Sequence, residues 1–161
     1  MDCFKKNLLD LLSQDARISL EDAAAALETT VERVSNALEE LEADQVILRY
    51  QPLINRDKIG TVQALLEVKI TPQRDLGYDT IAERIYSFPE VKDCYLAAGG
   101  YDLMVLVEGG SMQEVAYFAA EKLAVQEGVL SCSTHFVLKT YKKSGVPMQH
   151  HGQDKRLVVI P

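Results

Sequence analysis

The sequence predicts an α+β fold in two parts, and two rhythms along the chain predict it. Over residues 1–60 apolar side chains recur at helical spacing in three successive segments. Over residues 61–143 short apolar runs alternate with helical ones in the order β-α-β-β-α-β. The first order is that of a winged helix-turn-helix, and the second is ferredoxin-like. Residues 144–161 read as a C-terminal tail.

Each element has a local reason. Residues 3–13 form the first helix on Phe4, Leu8, Leu11 and Leu12, and Asp15-Ala16-Arg17 breaks it. Ser19 is an N-cap with Asp22 three residues on. A short helix follows from Leu20 to Leu27, alanine-rich and able to pack closely. Glu28-Thr29-Thr30 is the turn, and a third helix from about Val31 to Asp44 buries Val31, Val34, Leu38 and Leu41. Val46-Ile47-Leu48 and Tyr50 to Ile54 suit a short β-wing, and the polar stretch from Asn55 to Gly60 marks the domain boundary.

In the second part Val62 to Ile70 is a strand, Thr71 to Asp75 a loop, and Asp79 to Phe88 a helix stopped by Pro89. Val91 to Ala98 and Asp102 to Glu108 form a hairpin. Ser111 and Glu114 make a capping box for a helix running to about Glu127, with Gly128 as its C-cap. Val129 to Tyr141 is the last strand. The tail is polar from Lys142 to Arg156, and Leu157 to Pro161 could add an edge strand.

Composition narrows the function. At 47% hydrophobic and 25% charged residues, the chain has the balance of a folded globular protein. No apolar run approaches the roughly 18–20 residues that span a bilayer. The opening residues lack a leader's apolar core, so a cytoplasmic protein without membrane contact is expected. Cys3, Cys94 and Cys132 are odd in number and scattered, which fits neither a disulfide framework nor a zinc site. His150-His151 sits in a polar tail without companion ligands, and His135 reads as a half-buried sheet histidine. No metal and no cofactor is expected, and no catalytic set is present.

The stretch Ala97-Ala98-Gly99-Gly100-Tyr101-Asp102 is the most informative. Two glycines at a hairpin corner reach positive φ easily and leave backbone N–H groups accessible. With Asp102 alongside, such a corner could hold a small zwitterion, its carboxylate on the N–H groups and its ammonium on Asp102.

Four motifs in order carry a family resemblance. Leu11 to Ser19 resembles an opening "LLxxDxRIS", and Leu38 to Ile47 resembles "rLeexGvI". Gly100-Tyr101-Asp102 resembles "GxYD", and Thr134 to Lys139 a final-strand "T-x-x-v-L-K". Together they are similar to the leucine-responsive regulator/AsnC family of transcription regulators over nearly the whole chain. The resemblance implies a DNA-binding regulator that dimerises through its C-terminal sheets and assembles further. It also implies a small effector, an amino acid, contacting Ala98, Gly99, Gly100, Tyr101 and Asp102, with Thr134 added.

Helix-turn-helix docking places the N-terminal half of the third helix against bases. Thr29, Thr30, Glu32, Arg33, Ser35 and Asn36 are therefore the candidate contacts to double-stranded DNA, with Arg49 tracking the backbone. Lys5, Lys6, Arg17 and Arg56 could also meet phosphates. This chain has Ala37 where the family usually has arginine, and Gln45 where it usually has glycine. Net charge is −7, and residues 1–60 carry seven basic against twelve acidic side chains. That balance opposes phosphate binding. Two other readings share the architecture: a siroheme decarboxylase-like enzyme, and a sensing or assembly module with weak DNA binding.

Overall fold

The computed structural model describes residues 2–71 and 77–148, and the chain divides between Ile54 and Asn55 into two compact units. The first unit is helical. Helix α1 (Cys3–Gln14) is capped by Asp2, whose carboxylate accepts the Lys5 N–H at 2.7 Å. Helix α2 (Leu20–Ala26) is capped by Ser19, and α3 (Val31–Ala43) by the Thr30 hydroxyl, which accepts the Arg33 N–H at 3.3 Å. Leu8, Ala23, Ala24, Val34, Ala37 and Leu41 form the core.

That core corrects the expected face of α3. Ala37 is buried, whereas Val31 is exposed and Leu38 only partly covered. The alanine face of α2 lets α3 approach closely, so the contact is filled by a small side chain. Gln45, just past the α3 C-cap, has φ of 56°. A left-handed residue at this place is what glycine serves best, which accounts for the glycine expected there.

The wing is not formed as expected. Residues 46–54 carry no strand. Arg49 separates the two apolar runs without a Gly, Asn or Asp to take a hairpin's positive φ, and Pro52 lacks an N–H.

The second unit opens with a 3₁₀ turn (Arg56–Ile59) and strand β1 (Val62–Ile70). Helix α4 (Tyr78–Tyr86), strand β2 (Val91–Leu96) and strand β3 (Leu103–Gly109) follow. Helix α5 (Met112–Tyr117) continues as a π-wound turn over Phe118–Leu123, and β4 (Val129–Phe136) completes the sheet. The order is β2-β3-β1-β4, with every pairing antiparallel.

The alternation along the strands decides what covers what. Ala64, Leu66, Val68, Leu103, Val105 and Val107 point to one face and pack with Ile81 and Ile85 of α4, Val115 of α5, and Phe118 and Leu123 of the π-wound turn. On the other face Leu65, Glu67, Met104 and Leu106 stay only partly covered.

The last strand is shorter than expected, ending at Phe136 instead of Tyr141. Phe136 lies opposite Ala64 and Val137 still donates to the Gln63 carbonyl, so the partner strand has run out. A small hairpin that the polar tail did not suggest follows, with β5 (Lys142–Lys143) paired to β6 (Val146–Pro147). Ser144 and Gly145 make its turn with φ of 46° and 81°. The pair Ser-Gly was its available signal. The expected structure of His150-His151 and Leu157–Pro161 lies outside the described residues.

Candidate functional site

The DNA-contact candidates fall on one end of α3. Thr30, Glu32, Arg33 and Asn36 are exposed there, while Thr29 and Ser35 are half-buried. Thr30, Glu32, Arg33 and Asn36 share a shallow concavity with Asp2, Phe4 and Lys5 of the α1 end and with Glu40, whereas Thr29 and Ser35 do not line it. Two cations in it are already engaged. The Arg33 guanidinium lies 4.3 Å from the Phe4 ring centroid, and Lys5 Nζ is 2.7 Å from Glu40. The hydrogen bond to Glu40, followed by nearby carboxylates, raises the Lys5 ammonium above its ordinary pKa. Further acids are held along the same helix, where Tyr50 donates its hydroxyl to Glu42 at 2.9 Å. Arg49 is exposed.

Arg56 does not serve as a free phosphate contact. Its Nε is 3.0 Å from Glu108 Oε1, which also accepts from Gln63 at 2.7 Å. Sequence alone could not show this, because Arg56 and Glu108 are brought together only by the sheet.

At the glycine corner the structure corrects the expected backbone. Gly99 and Gly100 are absent from the positive-φ residues, and the turn between β2 and β3 is a wide loop over residues 97–102. A Cβ built on either glycine meets nothing among the described residues within 4 Å. Neither the turn geometry nor packing among the described residues therefore calls for glycine here.

Asp102 has a defined structural task. Its N–H donates to the Val68 carbonyl at 3.0 Å, its carbonyl accepts from Ala97 at 2.8 Å, and its Oδ2 accepts from the Ile70 N–H at 2.8 Å. The ladder between β1 and β3 stops at Val68–Leu103, and the β1–β4 register slips between Lys69 and Ile70. The Asp102 carboxylate thus takes the N–H that the broken ladder leaves over. That bond engages one of the two carboxylate oxygens.

Ala98, Gly99 and Gly100 are exposed at this corner, and Tyr101 and Asp102 are half-buried. Thr134 is not gathered with them. It lies on β4 opposite Leu66, while the corner meets β1 further along at Val68 and Ile70. Its neighbour Cys132 packs against the core, and burial pushes that thiol's pKa up. His135 is more exposed than expected, with Nε2 3.6 Å from Glu67 on the uncovered face.

A family model described as the Lrp/AsnC ligand binding domain matches residues 63–147. The chain belongs to the Lrp/AsnC family of transcriptional regulators. It is 40% identical over 157 residues to the HTH-type transcriptional regulator YugG of Bacillus subtilis, covering 96% of this chain and 95% of that one. In fold it is similar to the crystal structure of PH0061, with a TM-score of 0.80 at 19% identity over 89% of this chain and 96% of that one. It is also similar to regulator NMB0573 of Neisseria meningitidis, solved as an L-Met complex. That likeness has a TM-score of 0.76 at 22% identity, over 93% of this chain and 98% of the other. The Lrp/AsnC family is one of regulators, not of enzymes. No helix among the described residues is long and apolar enough to cross a membrane.

Two features of this Lrp/AsnC chain escaped the sequence. The π-wound turn has no spacing signature, since Phe118, Ala119 and Leu123 fit an ordinary amphipathic helix equally well. The cavity beside it is assembled from separate segments and has no linear motif.

Proposed function

We propose that this Lrp/AsnC regulator is a cytoplasmic homo-oligomer that reads double-stranded DNA with the N-terminal half of α3, and whose DNA affinity is set by an amino acid at the Ala98–Asp102 corner. The observation that carries the effector reading is the pair Gly99 and Gly100, which have open space and ordinary backbone angles. A residue that the chain does not need for its own folding is explained by close approach of something else. Bare N–H groups suit a carboxylate, and the second Asp102 oxygen suits an ammonium. The bound L-Met of NMB0573 supports the same ligand class.

A second copy suits the sheet face that carries Leu65, Met104 and Leu106, because two sheets can pack face to face over such residues. The effector would act by favouring one assembly over another, since a ligand shifts an equilibrium only through differential affinity. Thr134 joins this site only if the assembled form brings another chain's corner to it.

The test is a thermal-shift and calorimetric panel of the twenty amino acids on the wild type and on Gly99→Val. At least one amino acid should raise the wild-type melting temperature. The variant should melt within about 2 °C of wild type, because its side chain meets open space, and should bind that amino acid at least about tenfold more weakly. Equal binding by both proteins, or no binding by the wild type, contradicts the assignment.

A further inference from the structure

A cavity of about 310 Å³ lies between the helix layer and the end of β3, away from the glycine corner. Its walls are apolar, with Val107 from β3, Val115 from α5 and Phe118 from the π-wound turn. Its charged groups are three carboxylates, Glu90, Glu108 and Glu114, against one ammonium, Lys122, with the Tyr117 hydroxyl at its exposed edge. The π winding matters here, because the Ala124 N–H bonds to the Ala119 carbonyl five residues back and so widens the helix beside the cavity.

The hydrogen-bond accounting is lopsided. Lys122 Nζ is 2.5 Å from Glu90 Oε1 and 6.0 Å from the Phe118 ring centroid, so the one cation is already held. Glu90 Oε2 is buried and has no partner among the described residues. Glu114 Oε2 accepts from the Gly110 N–H at 2.8 Å, as part of the helix cap. A buried carboxylate oxygen without a donor is costly, so what the cavity lacks is a donor, preferably a charged one. Glu108 adds a third carboxylate to the acceptor side, although Arg56 and Gln63 both hold its Oε1.

We infer that this cavity is a binding site for a small primary amine, with the ammonium on the Glu90 carboxylate and a short apolar chain against Val107, Val115 and Phe118. The final torsion of a glutamate is broad and two-fold. A small rotation therefore lets Lys122 and the ligand share the two oxygens. The size suits a chain of a few carbons, since ligand pockets begin at about 300 Å³.

The probe is n-butylammonium, titrated against full-length protein while the methyl resonances of Val107 and Val115 are followed by NMR, with butyrate and n-butanol as controls. Butylammonium should shift both methyl signals saturably in the millimolar range, and butyrate should not. Glu90→Gln should weaken butylammonium by about tenfold or more, the scale of one charge-assisted hydrogen bond. Lys122→Met should act in the opposite sense and tighten it, because both Glu90 oxygens become free. This second variant alters a partly exposed side chain and decides the matter even where Glu90→Gln folds poorly. Saturable binding of butyrate equal to that of butylammonium overturns the inference. So does a Lys122→Met affinity at or below wild type, or the absence of any saturable shift.

Discussion

Gly128→Ala is expected to destabilise the second unit by roughly 2–4 kcal/mol, the sum of a left-handed-backbone cost and an overpacked contact. Gly128 has φ of 88°, and a Cβ there would stand 2.5 Å from Ile81 Cδ1 and 3.2 Å from its Cγ1. Ile81 is fully buried among the strands and cannot swing aside. For a unit of this size the melting temperature should fall by roughly 10 °C, read by circular dichroism. Ile81→Val removes the clashing Cδ1, so the double variant Gly128→Ala/Ile81→Val should be no less stable than Gly128→Ala alone. Simple addition of the two losses would mean that the contact is not the cause. An alanine protein that melts as the wild type would contradict the packing described for this corner of the fold.

Asp102→Ala should have a double consequence. The Ile70 N–H loses its acceptor where the ladder breaks, at a cost of about 1.5–3 kcal/mol for a bond to a charged group. Hydrogen exchange at the Ile70 amide should accelerate to match. The amino-acid response should vanish as well, because the same carboxylate is the proposed ammonium partner. Asp102→Asn separates the two roles, since its amide oxygen still accepts from Ile70 but carries no charge. It should recover most of the stability while binding the effector about tenfold or more weakly. Unchanged Ile70 protection in the alanine variant would contradict the structural role. A normal effector response in the asparagine variant would contradict the binding role.

The elements that sequence made legible are those with local causes. Ser19, Thr30 and Ser111 stand at the starts of helices and accept the N–H groups that such starts leave over. The β-α-β-β-α-β order needed only alternating runs and the stops at Pro89 and Gly128. What was hidden depended on partners distant in sequence. The last strand stops where β1 begins, a length that no local signal encodes. Residues 46–54 look strand-like because they are apolar, yet no strand among the described residues pairs with them. The glycine corner was located correctly but for a different backbone, since its loop is wide enough to avoid positive φ. Asp102 was likewise singled out, while its bond to Ile70 depends on a bulge that sequence does not announce.

The acidity of the first unit also becomes specific in the structure. The α3 end that carries Arg33 and Asn36 is crossed by Glu40, which holds Lys5. The chain thus restrains a cation at the edge of the proposed DNA-reading end. For the proposed base contact, Arg33 must leave the Phe4 ring.

Fluorescence anisotropy on duplex DNA from the protein's own upstream region, across a salt series, tests the DNA-reading role of α3 most directly. The wild type should bind with an affinity that falls as salt rises, by about 0.9 log units per log unit for each phosphate contact. Glu40→Gln releases Lys5, so it should bind several-fold tighter at low salt and steepen that slope by about 1 for each chain engaged. Arg33→Ala should weaken the complex in both backgrounds. Binding that ignores salt, or a Glu40→Gln protein indistinguishable from the wild type together with an Arg33→Ala protein that binds as well, would contradict the account.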